Sequence, residues 1–308
     1  MSSRSPHDEH AHGLEYDLGR LAERLRQEKL RQRRQALLWL AAGGAAAALA
    51  ACGGASDDSA AGSSDTGTTG SSSSATTSTT AAVSASGGSC VADPQETNGP
   101  YPSDGSNTVN GTVSDILTTS GIVRSDIRSS FGSSTTTAQG VPLVLTLTLA
   151  NVADSCAALE GYAIYVWHCN CDGEYSLYGA DILDENYLRG VQVTDANGQV
   201  TFETIFPACY SGRYPHIHFE VYRSLSVATV YTNALLTAQM AMPAAICSAV
   251  YEDSSLYGSS VSEFAQVSTA TDLVFSSSTA AQLAAQTPAL TGSVADGFTG
   301  TLTIGVSA

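Results

Sequence analysis

Apolar and polar positions divide the chain into four stretches of unlike pattern. Leu14, Leu18, Leu21 and Leu25 recur at helical spacing among charges and predict a short amphipathic helix. An apolar run follows, ending in Leu49-Ala50-Ala51-Cys52. Residues 55–89 are almost wholly Ser, Thr, Gly, Ala and Asp, with no aromatic residue, Leu or Ile. Such a segment cannot bury enough apolar surface to offset its chain entropy, so it reads as a spacer. From residue 90 onward the pattern is mainly that of strands. VPLVLTLTLA at 141–150 is rich in β-branched residues and leucine, and HIHFEVYR at 216–223 alternates. GYAIYVWHC at 161–169, RGVQVTD at 189–195, GQVTFETIF at 198–206 and TGTLTIGV at 299–306 are further strand candidates. Asn197-Gly198 lies between two of them and predicts a hairpin turn. LLTAQMAMPAAICSAVY at 235–251 reads as an apolar connector or short helix. The 219 residues of 90–308 suffice for one core. The expectation is an all-β domain built as a β-sandwich.

Charge sharpens these divisions. The net charge of −16 combines a balance of +2 over residues 1–51 with −18 over the rest. Beyond Cys52 the only basic residues, histidines aside, are Arg124, Arg128, Arg189, Arg213 and Arg223. Such a surface repels phosphate backbones, which argues against nucleic acid as a partner.

The basic residues near Arg33-Arg34, the short apolar core and the small residues before Cys52 make an export signal. They resemble a twin-arginine signal with a bacterial lipoprotein cleavage box. Three segments are therefore expected. Residues 1–51 are leader and signal, 52–89 a lipid-bearing Cys52 and linker, and 90–308 the folded domain. The resemblance implies a membrane tether through Cys52 and an exported domain. Once Cys52 is set aside, Cys90, Cys156, Cys169, Cys171, Cys209 and Cys247 remain, enough for three disulfides in any of fifteen pairings.

After processing at Cys52 the histidines are His168, His216 and His218. His216 and His218 sit at i and i+2, and so project from one face of a strand. Alone, the pair fits a metal site or a structural pair equally. Nothing matches the HExxH zinc helix. A ferrous site of two histidines and a carboxylate such as Glu220 stays open. Tyr175 closes WHCNCDGEY at 167–175, and Tyr210 closes FPACY six residues before His216. Phenolate is a hard anionic donor suited to Fe(3+).

The ordered set ETNGPYP at 96–102, RSDIR at 124–128, VWHCNCDGEYS at 166–176, RGVQVTDANGQVTFETIFPACYSGRYPHIHF at 189–219 and LTAQM at 236–240 resembles the intradiol ring-cleavage dioxygenases. The resemblance covers residues 90–308. It implies Fe(3+) held by Tyr175, Tyr210, His216 and His218, with Arg213 as the active-site arginine and Gln239 near the substrate. It implies a catechol-type substrate, O2 and a cis,cis-muconate-type product. Tyr210 would be the phenolate that leaves the metal and takes a proton. Pro100 and Tyr101 would stand at the pocket rim, with His168 structural. The family includes dimers and larger assemblies, so a homo-oligomer is an expectation. Two alternatives remain: a non-catalytic binding or adhesion module, and another histidine-based metal oxidoreductase.

Overall fold

The structure is a computed structural model and describes residues 90–308. The expected leader, signal, lipid-bearing Cys52 and linker all lie outside the described residues. Among the described residues no helix is long and apolar enough to cross a membrane.

Eleven strands are described. A hairpin of β1 (Asp104–Val109) and β2 (Thr112–Asp115) stands apart. One larger sheet holds β3 (Pro142–Asn151), β4 (Ala157–Ala158), β7 (Gln199–Ile205), β10 (Ala289–Ser293) and β11 (Gly297–Val306). The other holds β5 (Ala163–Trp167), β6 (Arg189–Val193), β8 (His216–Tyr222) and β9 (Leu236–Ala241) in the order β6-β5-β8-β9. Leu143, Leu145, Leu147 and Leu149 of β3 share one apolar core with Ile164, Val166, Ile217, Phe219, Val221 and Met240 of the second sheet. Burying each such side chain stabilises the fold by roughly 1.5–3 kcal/mol.

The expectation of an all-β sandwich is corrected. The fold is mixed α/β, its sheets are not closed into a sandwich or barrel, and among the described residues it has three short α-helices: α1 (Ala244–Asp253), α2 (Ser260–Phe264) and α3 (Ala280–Ala285). The pairings are antiparallel except β3 with β11, which is parallel. The helices arise where strand alternation stops. Ala and Ser dominate after Pro243, and Thr279 with Gln282 forms a reciprocal capping box that starts α3. The apolar run at 235–251 divides at Pro243, becoming β9 before it and α1 after it.

The Asn197-Gly198 turn does not make a hairpin. β6 pairs with β5, whereas β7 pairs with β3, so the turn carries the chain between sheets. Asp195 accepts hydrogen bonds from the Asn197 and Gln199 amides. Gly198, at φ +71°, lies so close to β3 that a Cβ would meet the Leu149 carbonyl at 2.5 Å. Tertiary contact, not turn chemistry alone, decided the partner.

Three disulfides do not form. Cys90 and Cys156 are joined, and Cys169, Cys171, Cys209 and Cys247 are free and buried.

Candidate metal centre

Alternation along β8 builds the site. Ile217, Phe219 and Val221 enter the apolar core. His216, His218, Glu220 and Tyr222 therefore face the other way. In register across the sheet, His218 lies between Trp167 of β5 and Gln239 of β9, and Trp167 pairs with Arg189 of β6. Trp167 stacks flat on the His218 ring, with centroids 4.8 Å apart and planes 7° apart. Gly99 closes the opposite side at φ +72°, where an added Cβ would meet His218 Cε1 at 3.2 Å.

His216 fixes the chemistry of the cluster. Its Nδ1 lies 2.6 Å from the Tyr214 carbonyl oxygen. A carbonyl only accepts, so Nδ1 carries the proton and Nε2 presents a lone pair. Around that atom stand His218 Nε2 at 3.1 Å, Tyr210 Oη at 3.2 Å, Tyr175 Oη at 3.3 Å and Arg213 Nη1 at 3.4 Å. The two phenol oxygens are 3.3 Å apart. The structure thus brings together all four predicted ligands and Arg213.

One lone pair cannot satisfy four polar neighbours, and the buried His218 Nδ1 has no hydrogen-bond partner. A cation held by the two phenol oxygens and the two Nε2 atoms would relieve this crowding. Burial pushes His216 down to about 3, with the Arg213 charge adding to it. Burial, then the charge of His216, pushes His218 well below its usual value. Both imidazoles are therefore neutral, the ligating form. Burial raises Tyr175, and the neighbouring Tyr210 raises it further. Burial also raises Tyr210, partly opposed by Arg213. Both phenols keep their protons unless a cation favours the phenolate.

Among the described residues no group of three or more His, Cys, Asp and Glu converges to hold a metal. Half of this cluster is tyrosine. Glu220 is buried but accepts from Tyr222 Oη and Thr237 Oγ1, so the ferrous alternative lacks its carboxylate. His168 is spent on the Cys169 carbonyl and Thr204 Oγ1, as a structural residue would be.

Polar partners that the sequence did not single out surround the cluster. Arg213, only 2% exposed, pairs through Nε with Asp272 Oδ2 at 2.9 Å. Burial raises Asp272, but the Arg213 charge and hydrogen bond, with His216 and the Phe275 amide, together outweigh it and hold the carboxyl below its usual range. Arg213 Nη2 donates to Gln239 Oε1 at 2.6 Å, and Gln239 Nε2 donates to the Thr97 carbonyl. Gln286 bridges Glu96 and the Gln239 carbonyl. Arg189 has no acidic partner. It donates to the carbonyls of Tyr101, Pro102 and Ser176, to Ser176 Oγ and to Tyr165 Oη. It thereby ties residues 101–102 to the segment beside Tyr175. Tyr101 packs on Tyr175 with ring centroids 5.0 Å apart. Lone arginines, glutamates and glutamines carry no local signal for such partnerships.

Comparison with known proteins agrees with this architecture. The Dioxygenase family model matches residues 128–254, which is under half of the chain. An intradiol ring-cleavage dioxygenase from Tetranychus urticae is 24% identical, with TM-score 0.52 over 70% of this chain and 95% of that one. A second dioxygenase crystal structure is 23% identical, with TM-score 0.51 over 70% and 94%. No curated protein matches the chain. The fold is that of the intradiol ring-cleavage dioxygenases. The family match over residues 128–254 supports a dioxygenase-type function.

Proposed function

We propose that the chain is a non-haem ferric dioxygenase. It opens a catechol-type ring between its hydroxyl-bearing carbons, consuming O2 and giving a cis,cis-muconate-type product. The observation that carries this reading is the crowding of Tyr175 Oη, Tyr210 Oη and His218 Nε2 around one lone pair of His216. Tyr175, Tyr210, His216 and His218 would hold Fe(3+), whose chemistry is to bind adjacent ring oxygens and draw electron density from them.

The chain's own groups have distinct tasks. Tyr175 is almost fully buried, whereas Tyr210 is partly exposed. Tyr210 is therefore the phenol an entering substrate meets, and its Oη, as the phenolate a bound cation would favour, would take a proton from a ring hydroxyl. The Arg213 guanidinium, fixed beside His216 with its net charge met by Asp272, offers Nη1 as a local N–H donor to negative charge developing on the ring. Gln239 spends Oε1 on Arg213 and Nε2 on Thr97, which makes it a positioning residue for the arginine.

Loading the full chain with ferric iron tests the reading. The expected outcome is one iron per chain, a visible phenolate-to-iron band, O2 uptake with catechol and a ring-opened diacid. A folded chain that takes up no iron overturns it. One that binds iron and leaves every catechol intact is a binding module instead. The reading extends to export and a lipid on Cys52, supported by residues 31–52 of the sequence. Mass analysis of the mature N-terminus tests that part, with an unmodified residue 52 as the contrary result.

A further inference from the structure

We infer that the site takes catechols whose ring bears no carboxylate, and that Asp272 sets this preference by neutralising Arg213, the cation beside the four donors. The inference takes its ligand class from the dioxygenase reading, but its test reads binding as well as turnover.

Accounting for the cations carries the argument. Residues 90–308 contain no lysine and five arginines. Arg128 is paired with Asp126 and Glu203 on the exposed side of β7. Arg124 donates to the carbonyls of Ser129, Asn186 and Arg189 and covers the Phe131 ring. Arg189 is fully engaged by carbonyls and hydroxyls, as described above. Arg223 is exposed and follows the far end of β8. At about 3.3 Å per residue it stands on the order of 17 Å from His218. Of these five, Arg213 alone is within hydrogen-bonding reach of a donor, and its charge is already met by Asp272, which is fully buried and also accepts from the Tyr214, Val274 and Phe275 amides.

A carboxylate on the ring therefore finds no cation among the described residues with both an unpaired charge and an N–H to spare: Arg213 is paired with Asp272, and Arg189 spends its N–H groups on carbonyls and hydroxyls. Held among the donors it is desolvated without compensation. The backbone that packs on Tyr210 carries two further acids, Asp172 and Glu174, exposed on either side of Gly173. A Cβ on Gly173 would lie 3.0 Å from Tyr210 Cβ. Burial without a partner and the added negative charge both disfavour an anionic substituent. Asp272 lies outside the residues that match the dioxygenase family model.

The test compares 3,4-dihydroxybenzoate with its methyl ester, a pair that differs mainly in charge. Both are titrated calorimetrically into the iron-loaded full chain, and both are assayed for O2 uptake. The ester is expected to bind at least about tenfold more tightly and to be consumed with the higher kcat/KM. Asp272→Asn keeps a hydrogen-bond acceptor for Arg213 but frees its charge, and should move both ratios toward one. Equal handling of acid and ester by the parent chain overturns the inference, as does an ester that fails to bind. If Asp272→Asn does not fold, the parent chain's ratio alone decides. If the ester binds more tightly yet no catechol is consumed, the dioxygenase reading fails and the charge preference stands.

Discussion

The two larger sheets bury their residues differently. In β3 the leucines at 143, 145, 147 and 149 are buried, while Thr146 and Thr148 between them reach the outer side. There Thr146 meets only the Thr201 hydroxyl and Thr148 the Gln199 amide. In β8 every residue is buried, and so is every residue of β5 and β9. One face of this second sheet is as apolar as any core, yet the other carries His216, His218, Glu220, Gln239 and Arg189 out of water. A polar face open to solvent costs nothing. A covered one must satisfy each group internally or through a ligand. The second sheet thus concentrates both the chemistry and the penalty for disturbing it.

Removing a donor from the covered face should have the largest effect. His218→Ala is expected to abolish stoichiometric ferric iron and turnover, measured by metal analysis and O2 uptake; full iron content would break the assignment. On the apolar face of the same strand, Phe219→Ala should cost about 3–5 kcal/mol in denaturant unfolding, because the cavity has no solvent-exposed side to collapse toward. A loss below about 1 kcal/mol would mean that this face is not the tightly packed one. A subtler effect comes from Glu96, which burial raises from 4.5 to about 7. Between those values the folded chain keeps a proton that the unfolded chain releases, so stability falls as pH rises through that window. Glu96→Gln should flatten part of the fall. Asp93, raised to about 7 by the same cause, leaves the remainder. Unchanged pH dependence of the melting temperature in that variant would remove Glu96 from the account. The smallest effect belongs to the open face. Thr146→Ala should shift stability by no more than about 0.5 kcal/mol.

These contrasts also mark what was legible in the sequence. The i, i+2 spacing of His216 and His218 announced a shared face, because strand geometry is local. Tyr175 and Tyr210 stood out only through a motif resemblance, since thirteen tyrosines in the chain dilute any compositional signal. Asp272 was not legible at all. It meets Arg213 across 59 positions, through a segment without strand alternation. The mixed α/β character was missed for a related reason: strand runs dominate the pattern, and the short helices after Pro243 carry little apolar periodicity. The Asn197-Gly198 turn was recognised as a turn, but its two flanks chose partners elsewhere in the chain.

The Cys90–Cys156 bond routes mechanical load. A pull on the chain ahead of residue 90 enters the fold at Cys156, beside β4 and the end of β3. Asp93 adds a second mooring through paired bonds with Gly305 of β11. Residues 96–101, which wall the cluster through Glu96, Gly99 and Tyr101, lie downstream of both moorings. Traction from that side spends itself on the five-stranded sheet and leaves the wall slack.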